Sequence, residues 1–145
     1  MKVLGFNRVE LVVAEDKIEA AVEQFNEVLG TRLPKPHPIH GNPVISSTDF
    51  DGNIELVAPA GGAGPFAEKL ADHGPGQIGP LVWEVADVDE AREWLTARGY
   101  RIVFEYDSTA GNEAEASLAV RQLVLDPDQW FGFLVTLMER ADAPD

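Results

Sequence analysis

The chain has 145 residues, 45% of them hydrophobic and 25% charged, enough for one domain to bury a core of its own. Acidic side chains, 25 in all, outweigh 11 basic ones for a formal charge of −14, a balance that repels polyanions and argues against nucleic acid or an anionic membrane surface as partner. The absence of cysteine excludes disulfides, zinc–thiolate centres and thiol nucleophiles together.

In chain order, the N-terminal MKVLGFNRVELVV carries one lysine and then an alternating run, with no apolar signal-peptide core, so the expected location is the cytoplasm. No apolar stretch approaches the ~18 residues of a membrane span. Val9, Leu11 and Val13 alternate with Arg8, Glu10 and Val12, the period of a strand with two unlike faces. Asp16 and Glu19 then have capping-box spacing, Ile18, Ala21, Val22, Phe25 and Leu29 form a helical stripe, and Gly30 suits a left-handed helix stop. Short strands are expected at 31–34, 43–48 and 53–58.

PAGGAGPFAEKLADHGPGQ follows, with Pro65 placed for a first helical turn and Gly74 for its end. The opening pattern then recurs. Leu81, Trp83 and Val85 alternate with Pro80, Val82 and Glu84; Asp87 and Glu90 repeat the capping box; Val88, Ala91, Trp94 and Leu95 repeat the stripe; and Gly99 repeats the stop. Strands are expected at 100–106, 117–125 and 131–138, with a polar loop over 107–116. The fold class is therefore α+β, two tandem βαβββ modules in one domain over residues 1–145: module one at 1–58, a linker with a short helix at 59–78, module two at 79–140 and a tail at 141–145.

This order, with the segments NRVELVV, NEVLG, NIELVAP, GPFAEKLADHGPGQIGPLVWEV and DPDQWFGFLVTLM, resembles the vicinal oxygen chelate superfamily of glyoxalase I, methylmalonyl-CoA epimerases, extradiol dioxygenases and bleomycin-resistance proteins. The linker is most similar to the epimerases. The resemblance covers nearly the whole chain and implies curved mixed sheets around a ligand cavity, and a homodimer.

In metal-dependent members of that family, each module supplies one ligand from its first strand and one from its last. Carried over to this sequence, the first-strand places hold Arg8 and Pro80, and the last-strand places hold Glu55 and Phe133. Only Glu55 is a ligand for a divalent cation, and a guanidinium beside it would repel the ion. The expectation is no metal and no cofactor.

Strand alternation lists the lining of the expected cavity as Arg8, Glu10, Glu55, Glu84, Phe131 and Phe133, with Tyr106 and Trp130 at its rim. Aromatic faces and carboxylates together suit a flat or cationic small molecule, held as the antibiotic-sequestering branch of the family holds its drugs. The plainer alternative is that Arg8 only pairs with Glu10 or Glu55 and the phenylalanines fill space. A third reading keeps epimerase-like chemistry, isomerase or lyase, on a carbonyl or CoA-thioester compound, with or without an atypical metal arrangement: Glu55 or Glu84 abstracts a proton next to the carbonyl and Arg8 stabilises the enolate. A structural or regulatory interaction module would follow if the cavity proved filled by its own side chains. His37 and His40 sit in a Pro- and Gly-rich turn, and His73 at a helix end, so none is assigned a ligand role. Trp83 and Trp94 are assigned to the core.

Overall fold

The computed structural model describes residues 1–39, 41–110 and 119–141, and His40 and much of the expected 107–116 loop lie outside them. Among the described residues, eight strands and three α-helices run in the order β1 (Val3–Val12), α1 (Ile18–Leu29), β2 (His37–Pro38), β3 (Val44–Asp49), β4 (Ile54–Pro59), α2 (Pro65–His73), β5 (Gln77–Val85), α3 (Val88–Ala97), β6 (Ile102–Asp107), β7 (Val120–Leu125) and β8 (Val135–Arg140). That is βαβββ twice, with a helix between: an α+β fold. The chain divides into two compact units, one of Arg8–Gly79 and one that joins Met1–Asn7 to the residues from Pro80 onward.

In the first unit β1 runs parallel to β4, β3 lies antiparallel to β4 and β2 antiparallel to β3. The stripe of α1 explains which sheet face it covers: Ile18 and Val22 are buried with Leu33, Leu56 and Ala58, against Leu11, Val13 and Ile45. On the opposite face Val12, Val44 and Val57 form a smaller cluster under Phe66 and Leu70 of α2. Pro65 begins that helix, and Gly74, in the left-handed region at φ 77°, ends it.

The second unit repeats the plan, with β5 parallel to β8, β7 antiparallel to β8 and β6 antiparallel to β7. Val88, Ala91 and Leu95 of α3 are buried with Val85, Leu123, Leu125, Val135 and Leu137, and Trp83 and Trp94 pack on this cluster as expected of core residues. Asp87 caps α3 by accepting from the Glu90 amide at 2.9 Å. Glu139 of β8 also accepts the Val88 amide at 2.8 Å, a long-range cap with no local signal in the sequence.

Three expectations of local structure need correction. Asp16 does not cap α1: the chain enters through a 3-10 turn over Glu15–Lys17, Lys17 holds the cap position, and no side chain bonds to the helix start. Residues 31–34 form no strand, because side chains take up their backbone groups. The Asn26 amide oxygen accepts the Leu33 N–H and its nitrogen donates to the Leu33 carbonyl, Asp49 accepts the Arg32 N–H, and Ser47 donates to the Pro34 carbonyl. Prolines 34, 36 and 38 remove three ladder donors, so only His37–Pro38 pairs with β3. The last strand begins at Val135 and not at 131, because Asp126 and Pro127 set a 3-10 turn whose Pro127 carbonyl accepts from Trp130 and Gly132.

Candidate functional site

Strand periodicity places Arg8 and Glu10 on the face of β1 opposite α1, and the parallel register sets Glu10 directly across from Glu55 of β4. All three are nearly fully buried, with 4% of Arg8 and 7% of each glutamate exposed. The Arg8 Nε donates to Glu55 Oε2 at 2.6 Å and its Nη2 donates to Glu10 Oε1 at 3.0 Å, so one guanidinium serves two carboxyls. The Phe50 ring stands 5.6 Å from the guanidinium carbon and adds a cation–π contact.

The charges do not balance. Two ionised carboxylates against one guanidinium would leave a buried negative charge, which low-dielectric surroundings disfavour strongly. Glu10 takes up the difference. Burial, followed by the Glu55 charge, pushes its pKa well above the ordinary 4.5, and Arg8 offsets this only in part. The Glu10 carboxyl also hydrogen-bonds Glu55. Burial and the neighbouring Glu55 thus favour the protonated form of Glu10. For Arg8, burial alone would favour the neutral form, but the attraction of Glu55 and Glu10 outweighs it and raises the guanidinium above its ordinary value.

The other sequence-derived candidates lie in the second unit. Glu84 accepts from Asn7 Nδ2 at 3.1 Å. Tyr106, on β6, borders a concavity of about 230 Å³ together with Arg92, Arg121 and Gln122. Trp130 packs on the core and meets the Tyr100 ring at 5.9 Å in a tilted contact. Phe131 is 92% exposed at φ 58° and Phe133 is 60% exposed, both on the turn before β8 and not on a strand face. A second concavity of about 260 Å³, in the first unit, is bordered by Glu15, Asp16, Glu19 and Pro38. Arg8, Glu10 and Glu55 border neither of these two hollows.

The register also corrects the counterpart of Glu55. Val82 pairs with Thr136 as Glu10 pairs with Glu55, so the equivalent residue in the second module is Thr136 and not Phe133. Thr136 is 1% exposed, and its hydroxyl finds no hydrogen-bond partner among the described residues. The places where the family resemblance implies metal ligands are thus Arg8 and Glu55 in the first unit, and Pro80 and Thr136 in the second. These do not fit a divalent cation: Arg8 is a cation engaged with the one carboxylate, proline has no donor, and a hydroxyl is a poor ligand alone. No group of three His, Cys, Asp or Glu able to hold a metal occurs among the described residues. Nor is any helix among them long and apolar enough to cross a membrane.

Comparison with known proteins agrees with this architecture. A model of the glyoxalase/bleomycin resistance protein/dioxygenase superfamily matches residues 8–116. An ethylmalonyl-CoA/methylmalonyl-CoA epimerase of Cereibacter sphaeroides is 31% identical over 129 residues, covering 88% of this chain and 92% of that protein. Among solved structures, the methylmalonyl-CoA epimerase of Mycobacterium tuberculosis superposes with a TM-score of 0.76 at 26% identity, covering 98% of this chain and 90% of its own. The Streptomyces coelicolor methylmalonyl-CoA epimerase in complex with 2-nitronate-propionyl-CoA shares the fold, with a TM-score of 0.76 at 18% identity over 97% and 99% of the two chains. On the family match and the length of the shared sequence, the chain belongs to the glyoxalase/bleomycin resistance protein/dioxygenase superfamily.

Proposed function

We propose that the protein is a proton-transfer enzyme of the isomerase class that acts on the carbonyl of a small thioester, with the Glu10–Glu55 pair as its acid and base and without a divalent metal. The observation that carries this reading is the second carboxyl. Neutralising buried Arg8 needs only one carboxylate; the fold places two against it, and burial beside Glu55 favours the protonated form of Glu10. A structural ion pair gains nothing from the extra acid, and a proton-transfer site depends on it.

The chemistry follows from the protonation states. Glu55, as carboxylate, takes the proton from the carbon next to the carbonyl, and the bonding pair moves onto the carbonyl oxygen to give an enolate. Glu10, as acid, gives its proton back to the α-carbon as the carbonyl re-forms, which leaves Glu10 ionised and Glu55 protonated. Transfer across the Glu10–Glu55 hydrogen bond restores the starting state, so no proton is gained or lost overall. Arg8 supplies the fixed positive charge that offsets the anion at each stage. The epimerases among the relatives support a thioester as the carbonyl compound. Glu84, engaged by Asn7, is not needed in this scheme.

A thermal-shift comparison of CoA thioesters with cationic aromatic amines, paired with NMR detection of deuterium entering the α-carbon in D2O, tests the proposal. Stabilisation by thioesters together with α-deuteration in the presence of a chelator is expected. Stabilisation confined to the amines would overturn it in favour of sequestration.

A further inference from the structure

Resting on the proton-transfer reading, we propose that the accepted acyl group is uncharged, a keto-type thioester with no free carboxylate, because the one buried guanidinium of the site is already held by two carboxyls.

The charge count at the site supports this selection. Arg8 contributes one positive charge, Glu55 one negative charge, and Glu10 none while it keeps its proton, so the trio is neutral before substrate arrives. The described strand residues on this face of β1, β3 and β4 include no second cation. A substrate carboxylate would have to compete with Glu55 for Arg8, or stand beside Glu55 as an unmatched like charge. Its approach would also hold the proton on Glu10 more tightly and shut down its use as an acid. A neutral ketone meets none of these obstacles: it brings no charge to compete for Arg8 and leaves the Arg8–Glu55 bond of 2.6 Å intact. The relatives named for methylmalonyl-CoA act on an acyl group that does bear a carboxylate, so the replacement of a metal ligand by a committed arginine marks a change in substrate charge class.

Two nearly isosteric probes isolate the difference: methylmalonyl-CoA carries a carboxylate where 2-methylacetoacetyl-CoA carries a methyl ketone. Isothermal titration of both, with chelator present, should show the ketone bound at least tenfold more tightly. Glu10→Gln leaves the charge count unchanged, so it should keep this preference while losing α-deuteration. Equal or tighter binding of methylmalonyl-CoA overturns the inference but leaves the proton-transfer reading standing if chelator-resistant deuteration persists. Failure of both thioesters to bind overturns both.

Discussion

Glu10 lies opposite Glu55 across the parallel β1–β4 ladder, and the guanidinium of Arg8 bonds to both. Adjacent strands stand about 4.8 Å apart, so register alone brings the two carboxyls within reach of one cation. The trio is costly to bury and costlier to break, and its stability and its chemistry are therefore tied to the same three side chains.

Removing the cation should expose that cost. Arg8→Gln leaves Glu55 ionised or forces a second proton into the site, and should destabilise the protein by about 3–5 kcal/mol. Urea denaturation at neutral pH measures this. A loss below ~1 kcal/mol would mean that the carboxyls find other partners.

The raised Glu10 pKa sets a sign for the pH dependence of stability. The folded state holds a proton on Glu10 over a range where the unfolded chain, with an ordinary value of 4.5, has released it. The favourable contribution is full below that value and is lost as pH rises through the folded pKa. Denaturation of wild type should thus show stability falling from weakly acidic pH upward, relative to Glu10→Gln, whose amide cannot titrate. Parallel pH profiles would contradict the assignment of the proton to Glu10.

Helix capping gives a matched pair of tests. Asp87 accepts the Glu90 amide, so Asp87→Ala should cost about 1 kcal/mol, whereas Asp16 makes no cap bond and Asp16→Ala should change stability by under ~0.5 kcal/mol. Chemical denaturation of the two variants checks the difference.

Much of this was legible in the sequence, for identifiable reasons. The alternation from Arg8 to Val13 and from Pro80 to Val85 reports period-two strands, and the stripes of α1 and α3 report which sheet face each covers. Arg8 and Glu10 share a face because a strand admits only two, while Glu55, on another strand, joins them in the sequence reading only through the family resemblance. Position along the strand was harder to read. The family resemblance sets Phe133 opposite Glu55, but the Asp126–Pro127 turn delays β8, and the register passes to Thr136. The 31–34 segment reads as a strand from sequence because the side chains of Asn26, Ser47 and Asp49 that claim its backbone lie elsewhere in the chain. Sequence alone assigns Glu10 no more than a lining role, since its perturbation depends on burial and on a partner 45 residues away, neither of which a local pattern reports.

The metal argument also has a direct test. Arg8→His would place an imidazole beside Glu10 and Glu55, giving three donors in one unit. This variant should bind Co2+, seen by its visible absorption bands, at least tenfold more tightly than wild type. Equal binding by wild type would show that the arginine does not exclude the ion.

The most direct measurement of the central claim is the rate of α-deuteration of 2-methylacetoacetyl-CoA, corrected for the uncatalysed rate, by chelator-treated wild type and Glu10→Gln. Wild type should catalyse the exchange without added metal, and the variant should lose at least about 100-fold while remaining folded. Exchange that requires a divalent cation, or that persists undiminished in Glu10→Gln, would contradict the account.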